Sequence, residues 1–234
     1  MDIRTVGVIG AGTMGNGIAH VFAKNGYNVV LVDLEQRLID WGLQTISKNL
    51  EREVAKNKLT SEQRALALGR ITGTSDHKRL AECDFVVEAA SERFEIKADL
   101  FRALDSICRS EVLLSSNTSS ISITKLAALT GRPDKVIGMH FFNPVPMMKL
   151  VEVVRGLATS NEAFATVKAL AEKLEKTPVE VNDAPGFVSN RVLMPLLNEA
   201  MYAVMEGVAT PESVDEVFKL GVHHVHVLPA CQSV

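Results

Sequence analysis

The sequence predicts an α/β fold in which a doubly wound, mostly parallel sheet is followed by a smaller domain made only of helices. From residue 2 to about residue 183, short β-branched runs alternate with helical segments, the pattern of a parallel sheet covered by helices on both faces. A turn cluster follows at Asn182-Asp183-Ala184-Pro185-Gly186, and beyond it Met, Leu and Ala recur at helical spacing without strand patterns. We therefore predict one domain over residues 1–184 and another over residues 185–234.

The end of the first strand predicts a phosphate-binding turn. The apolar residues 6–9 lead directly into Gly10-Ala11-Gly12-Thr13-Met14-Gly15, which matches the pattern G-x-G-x-x-G. In this pattern Gly10 permits a tight turn, Gly12 lets the backbone approach a pyrophosphate, and Gly15 lets the next helix pack close to the strand. The N–H groups at the N-terminus of that helix then point toward the anion. This arrangement is typical of a Rossmann-type domain that binds a dinucleotide.

An acidic residue after the second strand indicates which dinucleotide binds. The apolar strand 28–32 ends at Asp33, at the spacing where a carboxylate accepts hydrogen bonds from the adenosine ribose hydroxyls. Its charge also repels a 2′-phosphate, so NAD is the predicted cofactor, and use of NADPH is left open. The structural alternative is a turn aspartate that caps the following helix.

The remaining elements follow from apolar runs and helical spacing. We predict further strands at 70–72, 85–88, 113–115, 136–140, 150–154 and 178–181, and helices at 16–24, 95–107, 121–128 and 162–174. Residues 35–68 are too long and too polar for one crossover, so we predict a projecting helical hairpin there. In the second domain we predict a helix over 187–205, kinked at Pro195, and a helix over 211–220 capped by Thr210.

The composition is that of an ordinary globular protein with a large core. The chain has 234 residues, 47% of them hydrophobic, and a net charge of −3, so it offers no basic field for nucleic acid or an acidic membrane. It has no charged leader and no long apolar run, and we expect a cytoplasmic protein without a membrane partner. Cys83, Cys108 and Cys231 lack metal-ligand spacing and favour reduced thiols, so no metal site is predicted.

Polar residues follow several strands in the second half of the first domain, where open α/β sheets bind their ligands. Together with the glycine-rich turn, they make the sequence resemble the 3-hydroxyacyl-CoA dehydrogenase family, in particular its bacterial 3-hydroxybutyryl-CoA dehydrogenase branch, over residues 3 to about 221. The matching pieces are Gly10 to Gly15, Ser116-Asn117-Thr118-Ser119-Ser120, Gly138-Met139-His140-Phe141-Phe142-Asn143-Pro144, Val151-Glu152-Val153, and Asp183-Ala184-Pro185-Gly186-Phe187-Val188 followed by Asn190-Arg191.

The resemblance implies an NAD-dependent enzyme that oxidises the 3-hydroxyl group of an acyl-CoA, or reduces the 3-ketone, by hydride transfer. In the family, the residue matching His140 is the general base and the one matching Glu152 holds its imidazole. The chemistry agrees, because an alcohol loses its proton as hydride leaves and histidine titrates near neutral pH. Ser119 and Asn190 match positions that hydrogen-bond the reacting oxygen.

Other residues are carried over from the resemblance as ligand contacts. The NAD contacts beyond the glycine-rich turn are Asp33, Glu92, Lys97, Ser119 and Asn143. Arg52 and Lys56 fall near the family's CoA-contacting basic helix, although charges at this spacing are equally those of a solvated helix face. His140 alone has the alternative role of a satisfied structural group, and Ser119 or Asn190 that of a helix cap.

The resemblance ends near Gly221. Family members continue into further helices that complete the substrate cleft and a dimer interface, whereas residues 222–234 read VHHVHVLPACQSV. We therefore expect a shortened second domain with exposed apolar surface, and we hypothesise that a frameshift or an error in the recorded sequence produced the tail. The family lysine that approaches the nicotinamide near the usual C-terminus has no counterpart. The three histidines of this tail lack a defined geometry and a fourth ligand, so they do not predict a metal site.

Three functions remain open at this point. The leading one is the NAD-dependent dehydrogenation of short 3-hydroxyacyl-CoA thioesters. A second is the dehydrogenation of 3-hydroxy acids without CoA, although those families rely on a catalytic lysine where this chain has His140 and Glu152. The third is a protein that binds NAD without turnover.

Overall fold

The structure, a computed structural model, describes residues 2–222. Residues 223–234, which include the three tail histidines and Cys231, lie outside the described residues. The strands are β1 (Thr5–Ile9), β2 (Asn28–Val32), β3 (Ile71–Thr74), β4 (Phe85–Glu88), β5 (Leu113–Ser116), β6 (Val136–Phe141), β7 (Leu150–Arg155) and β8 (Thr177–Asn182). The helices are α1 (Thr13–Lys24), α2 (Gln36–Ala55), α3 (Ser61–Gly69), α4 (Phe94–Ile107), α5 (Ile123–Ala127), α6 (Asn161–Lys173), α7 (Ser189–Met205) and α8 (Pro211–Gly221).

The described strands form one sheet in the order β3-β2-β1-β4-β5-β6-β7-β8. Strands β1 to β6 run parallel, whereas β7 is antiparallel to β6 and β8 is parallel to β7. The strand order reverses direction between β1 and β4, so a crevice opens beyond the carboxyl ends of these two strands. The prediction of a doubly wound, mostly parallel sheet is therefore confirmed, with β6 and β7 as its antiparallel pair.

The central strands are buried on both faces, which explains their continuous apolar runs. Every residue of β4 and β6 is buried. Phe22 of α1 and Phe85 of β4 are fully buried, and their ring centroids lie 6.4 Å apart across the interface between helix and sheet. Burial of each such side chain stabilises the fold by about 1.5–3 kcal/mol. This core holds the strand ends that carry the candidate site.

Five of the six predicted helix starts differ from the observed ones by one to three residues, and two of these differences have a clear local reason. α1 begins at Thr13, three residues early, because Gly12 already serves as its N-cap. The glycine-rich turn therefore overlaps the helix start. α7 begins at Ser189, two residues late, because Gly186 and Phe187 have φ values of +75° and +50°, outside the helical region.

Residues 35–68, where the sequence predicts a helical hairpin, contain α2 and most of α3. The buried residues of α2, Ile39, Gly42, Ile46 and Leu50, recur every three or four positions, so one face of this helix packs inward. A capping box starts α3, in which the Thr60 hydroxyl accepts the backbone N–H of Gln63 and the Gln63 side chain accepts the N–H of Thr60.

The chain divides into two compact units after Pro185. In the described part of the second unit, α7 and α8 pack around the buried Ala200 and Val214. The side chain of Thr210 caps α8, as predicted. Pro195 lies inside α7, and the kink expected there stays a prediction. None of the helices in residues 2–222 is long and apolar enough to cross a membrane.

A partly buried polar cluster joins α1 to α2. The ring of His20 is fully buried in α1, and its Nε2 lies 3.1 Å from a carboxylate oxygen of Glu53 in α2. Lys24, one turn further along α1, donates a hydrogen bond to the other oxygen of the same carboxylate. The contact with His20, and then that with Lys24, outweighs burial and lowers the pKa of Glu53 to about 2.

We expect Glu53→Gln to lower the free energy of unfolding by about 2 kcal/mol at pH 7, because the neutral amide no longer provides the carboxylate that pairs with Lys24 and contacts the His20 ring. The folded-state pKa lies below the ordinary value of 4.5, so this stabilisation is present above pH 4.5 and is lost as the pH falls toward 2. Urea unfolding between pH 7 and pH 3 should show the two proteins converging in stability at low pH. A constant difference would contradict the pairing.

Candidate active site

The glycine-rich turn has the shape that a bound pyrophosphate requires. Gly10 adopts a φ of +95°, and a Cβ there would lie 2.5 Å from the carbonyl oxygen of Ala89. A Cβ on Gly15 would lie 1.7 Å from the carbonyl oxygen of Gly10, so α1 can start this close to β1 only with glycine. A Cβ on Gly12, by contrast, would meet no protein atom within 4 Å. The turn therefore leaves open space beside Gly12 for phosphate.

The N-terminus of α1 is also suited to an anion. Its N-cap is Gly12, which makes no side-chain capping bond, and its first turn contains no acidic residue. The remaining N–H groups at this end and the helix dipole favour a negative ligand. The residues present therefore fit a dinucleotide, as the sequence predicts.

Asp33 is tied directly to this turn. One carboxylate oxygen accepts the N–H of Ala11 at 2.6 Å, and the other accepts the N–H of Leu34 at 2.7 Å. The alternative role of Asp33 as cap of the next helix is wrong, because the N-cap of α2 is Glu35. Asp33 therefore places a negative charge at the end of β2 beside the turn, where it disfavours a 2′-phosphate.

Glu88, at the carboxyl end of β4, is the residue that the sequence analysis missed. It is fully buried, and its oxygens accept hydrogen bonds from Lys97 Nζ at 2.7 and 2.9 Å and from Ser116 Oγ at 2.6 Å. The N–H of Ala90 donates to it as well, at 2.7 Å. Register pairs Glu88 with Ile9, the last residue of β1. An acid that ends an otherwise apolar strand was the available signal.

Lys97 and Glu92 extend this network to the segment 118–120. The ammonium of Lys97 lies 3.4 Å from Glu92, and one oxygen of Glu92 accepts hydrogen bonds from Thr118 Oγ1 at 2.6 Å and from the N–H of Ser119 at 3.0 Å. The N–H and hydroxyl of Ser120 donate to the same oxygen. Burial raises the pKa of Glu92, but these hydrogen bonds and Lys97 outweigh it and hold the pKa below its ordinary value. The ionised carboxylate thus fixes the backbone at Ser119.

His140 and Glu152 face each other on the antiparallel strands β6 and β7. Register makes them direct partners, and His140 Nδ1 lies 2.8 Å from Glu152 Oε2. Both side chains are buried. A carboxylate at this distance favours the tautomer with the proton on Nδ1, so Nε2 is the ring nitrogen that accepts a proton. The family resemblance implies this pair, and the strand register accounts for the contact between the two side chains.

The neighbourhood of His140 is fixed from two sides. The ring of Phe142 lies 4.7 Å from the imidazole, and the N–H of Phe141 donates to the Asn117 side chain at the end of β5. Asn143 follows on the exposed loop between β6 and β7. Asn190 belongs to the second unit, in the first turn of α7, where its N–H donates to the carbonyl of Gly186.

Arg52 and Lys56 line a groove of about 410 Å³ in the first unit. The other residues that line it are Lys24, Asn49, Glu53, Lys58, Pro144, Pro146 and Met147. Four of the nine side chains are cationic and one is acidic, and that acid is already engaged by Lys24 and His20. The groove therefore carries a net positive charge beside the loop that follows β6.

The two described cysteines, Cys83 and Cys108, are buried free thiols. Burial is the first cause that raises the pKa of Cys83 to about 12 and that of Cys108 to about 11, so neither is a thiolate at neutral pH. Within residues 2–222, no cluster of His, Cys, Asp or Glu could hold a metal ion.

Two family models match the chain. The NAD binding domain of 3-hydroxyacyl-CoA dehydrogenase matches residues 5–184, and the C-terminal domain of the same enzyme matches residues 186–225. The chain belongs to the 3-hydroxyacyl-CoA dehydrogenase family. Membership confirms the resemblance drawn from the sequence, and the first match confirms NAD as the cofactor of this domain.

Named members of the 3-hydroxyacyl-CoA dehydrogenase family are similar over most of the chain. A probable 3-hydroxybutyryl-CoA dehydrogenase of Bacillus subtilis is 50% identical over 224 residues, which cover 96% of this chain and 78% of that protein. The 3-hydroxybutyryl-CoA dehydrogenase of Bradyrhizobium diazoefficiens is 47% identical over 222 residues, 95% of this chain and 76% of that protein. The crystal structure of (S)-3-hydroxybutyryl-CoA dehydrogenase from Ralstonia eutropha superposes with a TM-score of 0.93 at 50% identity, covering 95% of this chain and 79% of that chain.

Proposed function

We propose that the protein interconverts 3-hydroxybutyryl-CoA and acetoacetyl-CoA with NAD, by hydride transfer. The observation that carries this proposal is the His140–Glu152 pair, at 2.8 Å, in the same sheet as the dinucleotide turn. The names of the similar proteins support the choice of a short acyl-CoA. A cytoplasmic location, which the cysteine pattern favours, and the homodimer implied by the resemblance are parts of the same proposal.

In this proposal His140 moves the proton. Its Nε2 accepts the proton of the 3-hydroxyl group as hydride leaves C3, and returns a proton in the reduction of the ketone. The carboxylate of Glu152 holds the ring through Nδ1 and stabilises the imidazolium that forms. Ser119, fixed through Glu92, donates a hydrogen bond to the reacting oxygen. The same role for Asn190 rests on the family resemblance alone.

The cofactor contacts follow the same proposal. NAD, when bound, supplies the acceptor or donor of the hydride. The turn Gly10 to Gly15 would hold its phosphates, and Asp33 would hold its adenosine ribose. The other contacts carried over are Glu92, Lys97, Ser119 and Asn143. The network through Glu88 supports three of these assignments, because it orders Lys97, Glu92 and the backbone of Ser119 together.

A pair of substrates tests this function. We expect the protein to oxidise NADH when acetoacetyl-CoA is added and to do so much more slowly with acetoacetate, because the basic groove recognises the CoA phosphates. Equal rates would favour the CoA-free alternative. Binding of NADH without oxidation by either substrate would favour the alternative of a protein that binds NAD without turnover.

The groove gives a separate prediction for the CoA part of the substrate. The double variant Arg52→Glu, Lys56→Glu should raise the KM for acetoacetyl-CoA at least about tenfold, since two attractive contacts to phosphate become repulsive. We expect the kcat and the affinity for NADH to change little. Steady-state kinetics at about 0.15 M ionic strength measure both quantities.

The matched control is Arg37→Glu, a charge reversal at an exposed position in the first turn of the same helix, outside the groove. It should leave the KM within about twofold of the wild type, because it lies roughly 22 Å along the helix from Arg52, where exposed charges are screened. An equal rise of KM in the control would show that the effect is one of net charge, and that the groove is not the CoA site.

A further inference from the structure

Lys176 is a buried lysine with no part in the proposed reaction. It is 8% exposed and directly precedes β8. Its Nζ donates to the carbonyl oxygen of Val145 at 2.6 Å and to that of Met148 at 2.7 Å. Burial is the main cause that lowers the pKa of this ammonium. A buried cation costs free energy unless it is well hydrogen-bonded. The two carbonyls that accept from Lys176 are therefore held in place by this ammonium.

Both carbonyls belong to the loop that joins β6 to β7, which we call the 142–149 loop. This loop connects the strand that carries His140 to the strand that carries Glu152. On its other side, the buried Val145 packs against α1, where a Cβ on Gly17 would come within 2.9 Å of the Val145 Cβ. The inner side of the loop is therefore held between the dinucleotide-binding helix and the ammonium of Lys176.

The outer side of the same loop forms a wall of the basic groove. Pro144, Pro146 and Met147 line this groove together with Arg52 and Lys56 of α2. The two bonds from Lys176 bracket Pro146 and Met147 along the chain. A displacement of these carbonyls would move the wall relative to the cationic side chains, while β6 and β7 keep their register through the ladder that pairs His140 with Glu152.

We propose that Lys176 is a positioning residue that holds the 142–149 loop in the conformation that binds the CoA part of the substrate. This inference rests on the proposed function, because it takes the basic groove as the CoA site. Lys176 reaches neither substrate nor cofactor in this account. It acts through Val145 and Met148, and its loss affects substrate binding more than the chemical step.

The test compares Lys176→Met, which keeps the apolar stem and removes the donor, with Lys173→Met, which removes an exposed lysine of α6. We expect Lys176→Met to raise the KM for acetoacetyl-CoA at least about tenfold, and to lower the kcat and the NADH affinity each less than about threefold, because the proposed NAD contact Asn143 precedes both bonded carbonyls along the loop. Lys173→Met should match the wild type. A KM unchanged in Lys176→Met, or raised equally in the control, would overturn the proposal even if thermal stability falls.

Two further measurements keep the outcome decisive. Lys176→Gln retains one shorter donor and should give an intermediate KM, and it replaces Lys176→Met if that variant does not fold. Calorimetry with free coenzyme A measures the affinity of the protein for this part of the substrate without any turnover. If the wild type binds coenzyme A and Lys176→Met binds it at least about tenfold more weakly, the inference stands even where the proposed reaction fails. If the wild type does not bind coenzyme A, the inference is wrong.

Discussion

Replacing His140 with alanine is expected to lower the kcat for acetoacetyl-CoA reduction by about two to four orders of magnitude, the usual contribution of a general acid or base. The imidazole is the group that moves the proton in our account. Val179, the other residue that register places beside Glu152, carries no group that could replace it. Affinity for NADH should stay within about twofold, because the glycine-rich turn and Asp33 follow β1 and β2, which β4 and β5 separate from β6 in the sheet. Single-turnover kinetics and NADH fluorescence titration measure the two quantities separately.

Glu152→Gln provides the companion measurement. We expect a fall of kcat of about 10-fold to 100-fold, because the amide keeps the ring in place but no longer stabilises the imidazolium. The double variant should be little worse than His140→Ala alone, since Glu152 acts through the histidine. His77→Ala, a histidine in a short surface 3-10 helix, is the control. Additive losses, or a loss in the control, would contradict the assigned roles.

Gly12→Ala is expected to weaken NADH binding at least about 100-fold while leaving the free energy of unfolding nearly unchanged. An added Cβ meets no protein atom within 4 Å and needs no unusual φ, so the folded protein accepts it. The methyl group instead occupies the space that the phosphates need. Isothermal calorimetry with NADH and urea unfolding give the two numbers.

Two other glycine substitutions serve as controls for Gly12→Ala. Gly69→Ala also adds a Cβ that meets no atom within 4 Å, and it should change neither quantity. Gly15→Ala places a Cβ 1.7 Å from the Gly10 carbonyl oxygen and should lower stability as well as NADH affinity. If Gly12→Ala bound NADH like the wild type, the turn would not be the phosphate site.

Patterns that lie within one segment were predictable from the sequence. The strand from Phe85 to Glu88 has the predicted ends because apolar residues fill it and a charge closes it. The dinucleotide turn was predictable because each glycine meets a steric requirement of the turn itself, and Asp33 follows the next strand at the expected spacing. The start of α1 was missed because the turn glycines conceal a helix that begins at Thr13.

Groups that converge from distant segments could not be predicted. Glu88 is satisfied by Lys97 from a helix and by Ser116 from a neighbouring strand, and sequence spacing does not show that these meet. Lys176 bonds a loop about thirty positions earlier in the chain for the same reason. The His140–Glu152 pair was expected from the family resemblance, and the contact itself follows from the register of two strands joined by one loop, which the sequence does not give.

The most direct test of the central claim follows the hydride itself. The wild-type protein is incubated with acetoacetyl-CoA and NADH that carries two deuterium atoms at the nicotinamide C4, and the product is analysed by mass spectrometry and NMR. We predict 3-hydroxybutyryl-CoA with deuterium at C3, and almost none from His140→Ala over the same time. Unreacted acetoacetyl-CoA in the presence of bound NADH, or product without deuterium at C3, would contradict the proposed dehydrogenase.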